Sequence, residues 1–204
     1  MLKAIQIECQ RGDQRLFHGI DFCLEGGELL FLQGKNGAGK TSMLRILCGL
    51  ALPVSGEVRW QGENIQRLQE SFRSNLCYLG HQNAIKEDLT PLENLMTSTR
   101  LHDEAIDEDV ALDALEQVGL AGRVELPCRY LSQGQKRRVA LSRLALEKRP
   151  LWILDEPFVA LDTQANQWLS NVIGAHLQRG GLTVLTSHQP IAIAAAEIRS
   201  LFLN

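Results

Sequence analysis

Hydrophobic and polar positions along the chain fall into two alternating periods. Ala4 to Cys9 and Arg15 to Leu24 alternate as strands do, about the turn Arg11-Gly12-Asp13, and Glu28 to Gln33 is a short continuous apolar run of the kind a covered sheet carries. After the glycines at 34, 37 and 39 the period changes: Met43, Leu44, Ile46 and Leu47 recur at helical spacing over Thr41 to Cys48, and Gly49 stops the run. Gly56 to Trp60 with Gly62 reads as a strand and turn, Asn75 to Leu79 as another short strand, and Pro91 opens a helix through Leu95 and Met96. Glu104 to Val118 is an acidic amphipathic helix ending at Gly119; with the Pro91 helix it predicts a helical lobe inserted into a sheet domain. The pattern then returns to sheet and helix: a long helix over Gln133 to Glu147, a strand at Leu151 to Leu154, a helix at Gln164 to Leu177, a strand at Thr183 to Thr186, and a closing edge strand at Glu197 to Leu203. The result is an α/β chain without internal repeats.

Composition narrows the classes. At 204 residues and 45% apolar, the chain can bury a full core as one domain, or as one domain with a lobe. Its 21 Lys and Arg against 24 Asp and Glu leave a net charge of -3, which gives no long-range pull toward nucleic acid, and no nucleic-acid partner is expected. Cys9, Cys23, Cys48, Cys77 and Cys128 are odd in number and widely separated, and read as small buried hydrophobes in a reducing compartment. The amino-terminal residues lack the basic and apolar segments of a secretion signal. Apolar runs such as Leu29 to Leu32 are far shorter than the roughly 20 residues that cross a bilayer, so any membrane role is expected to come through a partner.

Gly34-Lys35-Asn36-Gly37-Ala38-Gly39-Lys40-Thr41 is a complete Walker A loop, and it stands between a predicted strand and a predicted helix. Its glycines let successive backbone N–H groups converge on a β-phosphate at the start of the helix, where unpaired amides and the helix dipole favour an anion. Lys40 is expected to reach between the β- and γ-phosphates, and the Thr41 hydroxyl to ligate Mg2+. The plainer reading is a glycine-rich turn before an ordinary helix. Leu151-Trp152-Ile153-Leu154-Asp155-Glu156 is an apolar strand ending in two acids, and carboxylates at that position need a cation or a proton. Read as Walker B, Asp155 holds the Mg2+ and Glu156 polarises the water that attacks the γ-phosphate. The alternative is a pair of acids capping the next helix. In Leu131-Ser132-Gln133-Gly134-Gln135, Ser132 caps a helix and presents its first amides outward as a second anion site, unless it is an ordinary cap.

Across essentially its full length the order of these motifs, with Gln82, Ala160-Leu161-Asp162 and His188, resembles the ATP-binding-cassette nucleotide-binding domain. The resemblance implies a P-loop NTPase fold with a RecA-like core, an antiparallel β-subdomain and an inserted helical subdomain. On that reading residues 1–204 form one nucleotide-binding domain, with the helical subdomain at about 86–145. It implies that Gln82 senses the γ-phosphate or its Mg2+, that Ser132, Gln133, Gly134 and Gln135 belong to the signature sequence, and that Asp162 lies in the loop joining two active sites. His188 would clamp the γ-phosphate and the attacking water. Two copies would stack head to tail with ATP between the Walker A loop of one and the Ser132 helix of the other. Two departures from the family pattern stand out. Gln133 occupies a position where the family usually has Gly, and it either weakens the cross-subunit contact or adds a hydrogen bond. Arg11 stands where an adenine-stacking aromatic is usual; an arginine plane can stack on a base, or Arg11 is simply a turn residue.

Within this superfamily, Trp60-Gln61-Gly62, Leu79-Gly80-His81-Gln82, Leu92-Glu93-Asn94-Leu95 and Leu151 to Phe158 are similar to the ATP-binding subunits of the cytochrome c biogenesis, or haem-exporter, system. That resemblance implies an ATPase on the cytoplasmic face of a bacterial inner membrane, with an integral membrane permease subunit, further haem-handling membrane subunits and a role in preparing or releasing haem bound to its chaperone. The same motor serving another small exporter, a soluble ATP-driven assembly factor, and a non-catalytic ATP-responsive scaffold are the competing readings.

Overall fold

The structure is a computed structural model, and it describes residues 1–100, 105–187, 193 and 197–203. The chain divides into two compact units, Met1–Leu79 with Arg149–Pro157 and Ile173–Asn204, and Gly80–Lys148 with Phe158–Val172.

The first unit contains two sheets. β1 (Leu2–Arg11) and β2 (Gln14–Leu24) form an antiparallel hairpin, and β4 (Ser55–Trp60) and β5 (Glu63–Asn64) extend it in the order β2-β1-β4-β5. The second sheet is parallel throughout and combines β3 (Glu28–Gly34), β6 (Leu76–Leu79), β7 (Leu151–Leu154), β8 (Leu182–Thr186) and β9 (Glu197–Leu203) in the order β6-β7-β8-β3-β9. All four residues of β7 and all five of β8 are buried, as continuous apolar strands of a covered parallel sheet are. α1 (Lys40–Leu47) buries Met43, Leu44, Ile46 and Leu47 into a core shared with Leu30, Leu32, Ile153 and Val184, which anchors the start of the helix to the sheet. The short helices α2 (Ile65–Leu68) and α3 (Glu70–Arg73) follow β5.

The second unit is helical. α4 (Pro91–Arg100), α5 (Glu108–Gln117) and α6 (Gln133–Ser142) gather Leu92, Leu95, Ala114, Leu115, Leu120 and Val139 into a separate apolar cluster, with Trp168 of α7 (Thr163–Gln178) packed against it.

Two expected helices come out shorter. α5 starts at Glu108, with Asp107 at its N-cap in an extended conformation, whereas the predicted start at 104 lies outside the described residues. α6 stops at Ser142 and continues only as a 3-10 turn, Arg143–Ala145. The apolar period runs on through Leu144 and Leu146, but the last turn tightens to 3-10 geometry, as helix ends commonly do.

Candidate functional site

β7, β8 and β3 lie side by side and run the same way, so the segments that follow them collect along one edge of the sheet. In an open parallel sheet this carboxyl edge is where ligands bind. It carries the 34–40 loop after β3, Thr186 at the end of β8, and Asp155 and Glu156 after β7.

The loop is closed by a bond from Ala38 N to Lys35 O (3.1 Å), and α1 begins with Gly39 as its N-cap and no side-chain cap. The first amides of the helix are therefore left to an acceptor from outside it. Gly39 sits at φ 95, where L side chains are strained, and a Cβ there would lie 2.8 Å from the Phe17 ring and 3.2 Å from Leu16 Cβ. This contact seats the loop on β2, in the hairpin whose far end holds Arg11, exposed and paired across the turn with Gln14. The ammonium of Lys40 donates to Gly34 O (2.8 Å) and Lys35 O (3.3 Å), so its stem lies across the loop.

Thr41, in the first turn of α1, donates its hydroxyl to Asp155 Oδ2 at 2.9 Å. Asp155 Oδ1 accepts from Thr186 Oγ1 at 2.8 Å, and the same Thr186 oxygen accepts from Glu156 N at 2.8 Å. The two acids are only 2% and 8% exposed, and Thr186 is fully buried. The negative field is felt nearby. Burial raises the Cys48 thiol pKa, with Cys77 and then Asp155 adding to it, and burial followed by Cys48 and Asp155 raises that of Tyr78. A hydroxyl and a carboxylate oxygen 2.9 Å apart form the all-oxygen donor set that a hard divalent cation such as Mg2+ prefers, so the residues fit that ion.

In the helical unit, Ser132 caps α6 in a reciprocal box: its Oγ accepts from Gln135 N (3.2 Å), while Gln135 Oε1 accepts from Ser132 N (2.9 Å). The hydroxyl hydrogen of Ser132 is not used by the box. Gln133 stands exposed on the first turn. Gly134 permits a close approach, since a Cβ there would lie 2.9 Å from Ala160 O. Lys136, Arg137 and Arg138 hold the neighbouring loops. Lys136 Nζ pairs with Glu87 Oε1 at 2.5 Å, Arg137 donates to Asn83 Oδ1 at 3.1 Å and Gly80 O at 3.5 Å, and Arg138 pairs with Asp162. Gln82 is exposed within the stretch that Lys136 and Arg137 brace. Asp162 Oδ1 also accepts from Ala165 N (2.9 Å), capping α7.

Of the residues expected from sequence, Lys40, Thr41, Asp155 and Glu156 come together on the sheet edge, and Ser132 to Gln135 and Gln82 fall in the helical unit. His188 lies outside the described residues. Two further contributors carry only weak sequence signals. Thr186 was visible only as the end of a strand, although a hydroxyl at the buried carboxyl end of an apolar strand is a signal. Asn94 bridges Lys86 N (to Oδ1, 2.8 Å) and the carbonyls of Lys86 (2.9 Å) and Thr90 (3.0 Å), fixing the backbone that follows Gln82. Its signal was a polar residue on the apolar face of the Pro91 helix.

A parallel sheet in this order, a phosphate loop leading into α1, an acid pair after β7, an antiparallel sheet and a helical unit define an ATPase of the ATP-binding-cassette type. Residues 17–159 match the family model described as ABC transporter. The chain is 64% identical over 204 residues to the cytochrome c biogenesis ATP-binding export protein CcmA of Dechloromonas aromatica (strain RCB), covering 100% of each. It is 45% identical over 204 residues to the protein of that name from Escherichia coli (strain K12), covering 100% of this chain and 97% of that one. Among solved structures, an ATP-binding subunit of an ABC transporter superposes with a TM-score of 0.80 at 25% identity, over 92% of this chain and 79% of the other. A dimeric ATP-binding cassette in a post-hydrolysis state with ADP and Pi gives 0.85 at 23% identity, over 100% and 94%. The chain belongs to the ABC transporter family, and within it to the family of cytochrome c biogenesis ATP-binding export proteins. It is an ATP-hydrolysing subunit of that type.

Proposed function

We propose that this chain binds ATP with Mg2+ along the carboxyl edge of its parallel sheet and hydrolyses it to drive a membrane complex of c-type cytochrome biogenesis. The observation that carries the reading is Asp155, which gathers the hydroxyl at the start of α1 and the hydroxyl ending β8 onto one carboxylate beside Glu156.

In this reading the loop of Gly34, Lys35, Asn36, Gly37, Ala38, Gly39, Lys40 and Thr41 cradles the phosphates, and Lys40 exchanges its loop carbonyls for the β- and γ-phosphate oxygens. Thr41 and Asp155 would hold the Mg2+, and the family resemblance gives Gln82 the role of sensing the γ-phosphate or its ion. The ion, when bound, supplies neutralisation of phosphate charge. Glu156 orients a water and draws off its proton as the water oxygen bonds to the γ-phosphorus; the bond from phosphorus to the β–γ bridging oxygen breaks, leaving ADP and phosphate. His188 steadies the γ-phosphate and that water, and Arg11 stacks on the adenine.

Two copies enclose the nucleotide. Ser132, with its hydroxyl hydrogen unused by the capping box, and the first amides of α6, with Gln133, Gly134 and Gln135, meet the γ-phosphate held by the other copy. Residues 1–204 act as one nucleotide-binding domain with a helical subdomain of about 86–145, in a complex with a permease subunit and further haem-handling membrane subunits. The chain sits peripherally on the cytoplasmic face of the inner membrane; no helix among the described residues is long and apolar enough to cross one. The named relatives support the pathway, through their shared name and identities of 64% and 45%.

Glu156→Gln tests the chemistry. In the detergent-purified assembly it is expected to keep ATP binding and to lower phosphate release by about a thousandfold. Parent-like release would remove Glu156 from the reaction. Copurification with the cytochrome c biogenesis permease and haem is the expected composition, and recovery with an unrelated exporter would redirect the pathway.

A further inference from the structure

We infer that Thr186 is a positioning residue of the ATPase site, which sets both acids with a single hydroxyl. This rests on the roles proposed above for Asp155 and Glu156.

Thr186 is the last residue of β8 and has no exposed surface. Its Oγ1 lies 2.8 Å from Glu156 N and 2.8 Å from Asp155 Oδ1. A hydroxyl has one hydrogen, and the Glu156 amide brings its own. The direction of the chain is therefore fixed: amide to hydroxyl, hydroxyl to carboxylate.

Each bond has a separate consequence. Glu156 adopts φ 50, in the left-handed region that a residue with a β-carbon avoids unless its surroundings hold it there. The bond from its amide to Thr186 is such a restraint, and it acts at the residue that must aim at the attacking water. The bond into Asp155 Oδ1 fixes the carboxylate so that Oδ2 is the oxygen turned to Thr41, at 2.9 Å. Oδ2 and the Thr41 hydroxyl are the pair that fits the metal. Thr186 touches neither nucleotide nor metal in this account; it acts through the two residues that do.

A valine at 186 has nearly the same shape but cannot accept from Glu156 N or donate to Asp155 Oδ1. A merely structural threonine would lose stability on that change and leave the turnover of the folded protein alone. In the detergent-purified complex, Thr186→Val, Thr186→Ser, Glu156→Gln and the parent should be compared for phosphate release and ATP KM. Binding of Mn2+ with a non-hydrolysable ATP analogue, read by electron paramagnetic resonance, gives a signal independent of turnover.

The valine variant is expected to lose about 10- to 100-fold in kcat and to bind Mn2+ about 10-fold more weakly, with a rise in ATP KM of similar size, while the serine variant recovers most of each. If the valine variant does not fold, Thr186→Ala carries the same comparison against serine. Parent-like kcat and Mn2+ affinity in a folded variant lacking the hydroxyl, with Glu156→Gln inactive, would overturn the role of Thr186 and leave that of Glu156 standing. A Glu156→Gln variant that hydrolyses at the parent rate would overturn both.

Discussion

A methyl group on residue 39 has no room. Gly39 combines φ 95 with a Cβ position 2.8 Å from the Phe17 ring, so Gly39→Ala meets strain that moving the ring cannot wholly relieve. Urea unfolding is expected to register a loss of about 1–3 kcal/mol, and calorimetry a weaker ATP titration because the loop amides shift. A variant with parent stability and affinity would mean that the loop does not need this geometry. The eight residues of the loop and the Asp155-Glu156 pair could be read directly from the chain, because each chemistry requires particular side chains at fixed spacing. Thr186 could not. Within Leu182–Thr186 a threonine is an ordinary strand residue, and only the parallel register that sets Leu154 beside Leu185 brings its hydroxyl to the two acids.

Among elements, α6 does more than open with Ser132 to Gln135. Lys136 and Arg137 hold the segment that contains Gln82, and Arg138 holds Asp162, so one helix ties together two loops of the helical unit. Arg137 is 4% exposed, and a charged hydrogen bond at that depth is worth about 1.5–3 kcal/mol. Arg137→Ala should cost roughly 2 kcal/mol in urea unfolding and increase hydrogen exchange at 80–87; unchanged exchange there would deny the bracing role. The strands were easy to read, since β3 and β7 are short apolar runs bounded by a turn or by charge. Element ends were harder. α6 stops at Ser142, though its apolar period continues, because its last turn tightens into 3-10 geometry that a hydrophobic period does not register. β5, α2 and α3 span two to four residues each, too few for any period to appear.

For the chain as a whole, the thiols tie stability to pH: Cys48, Cys77 and Cys128 are buried as expected, whereas Cys9 and Cys23 are only half-buried. Burial is the first cause that raises the pKa values of Cys9, Cys48 and Cys128 above the ordinary 9.0. In the unfolded chain these thiols ionise near that value, and in the folded one only above it. As pH climbs past 9.0 the unfolded state therefore binds fewer protons than the folded state, and stability falls; below it their contribution is intact. The melting temperature is expected to drop from about pH 9 upward, and Cys48→Ala to flatten that drop. Equal slopes in parent and variant would assign the alkaline loss elsewhere.

If, as proposed, ATP binds between two copies and Glu156 ends that state by hydrolysis, a variant that cannot hydrolyse should stay dimeric. Sedimentation velocity of Glu156→Gln, with and without Mg2+ and ATP, tests it most directly. A shift from monomer to dimer on adding nucleotide, reversed when ATP is exchanged for ADP, is the predicted result. A variant that binds ATP by calorimetry yet sediments as a monomer at saturating nucleotide would contradict it.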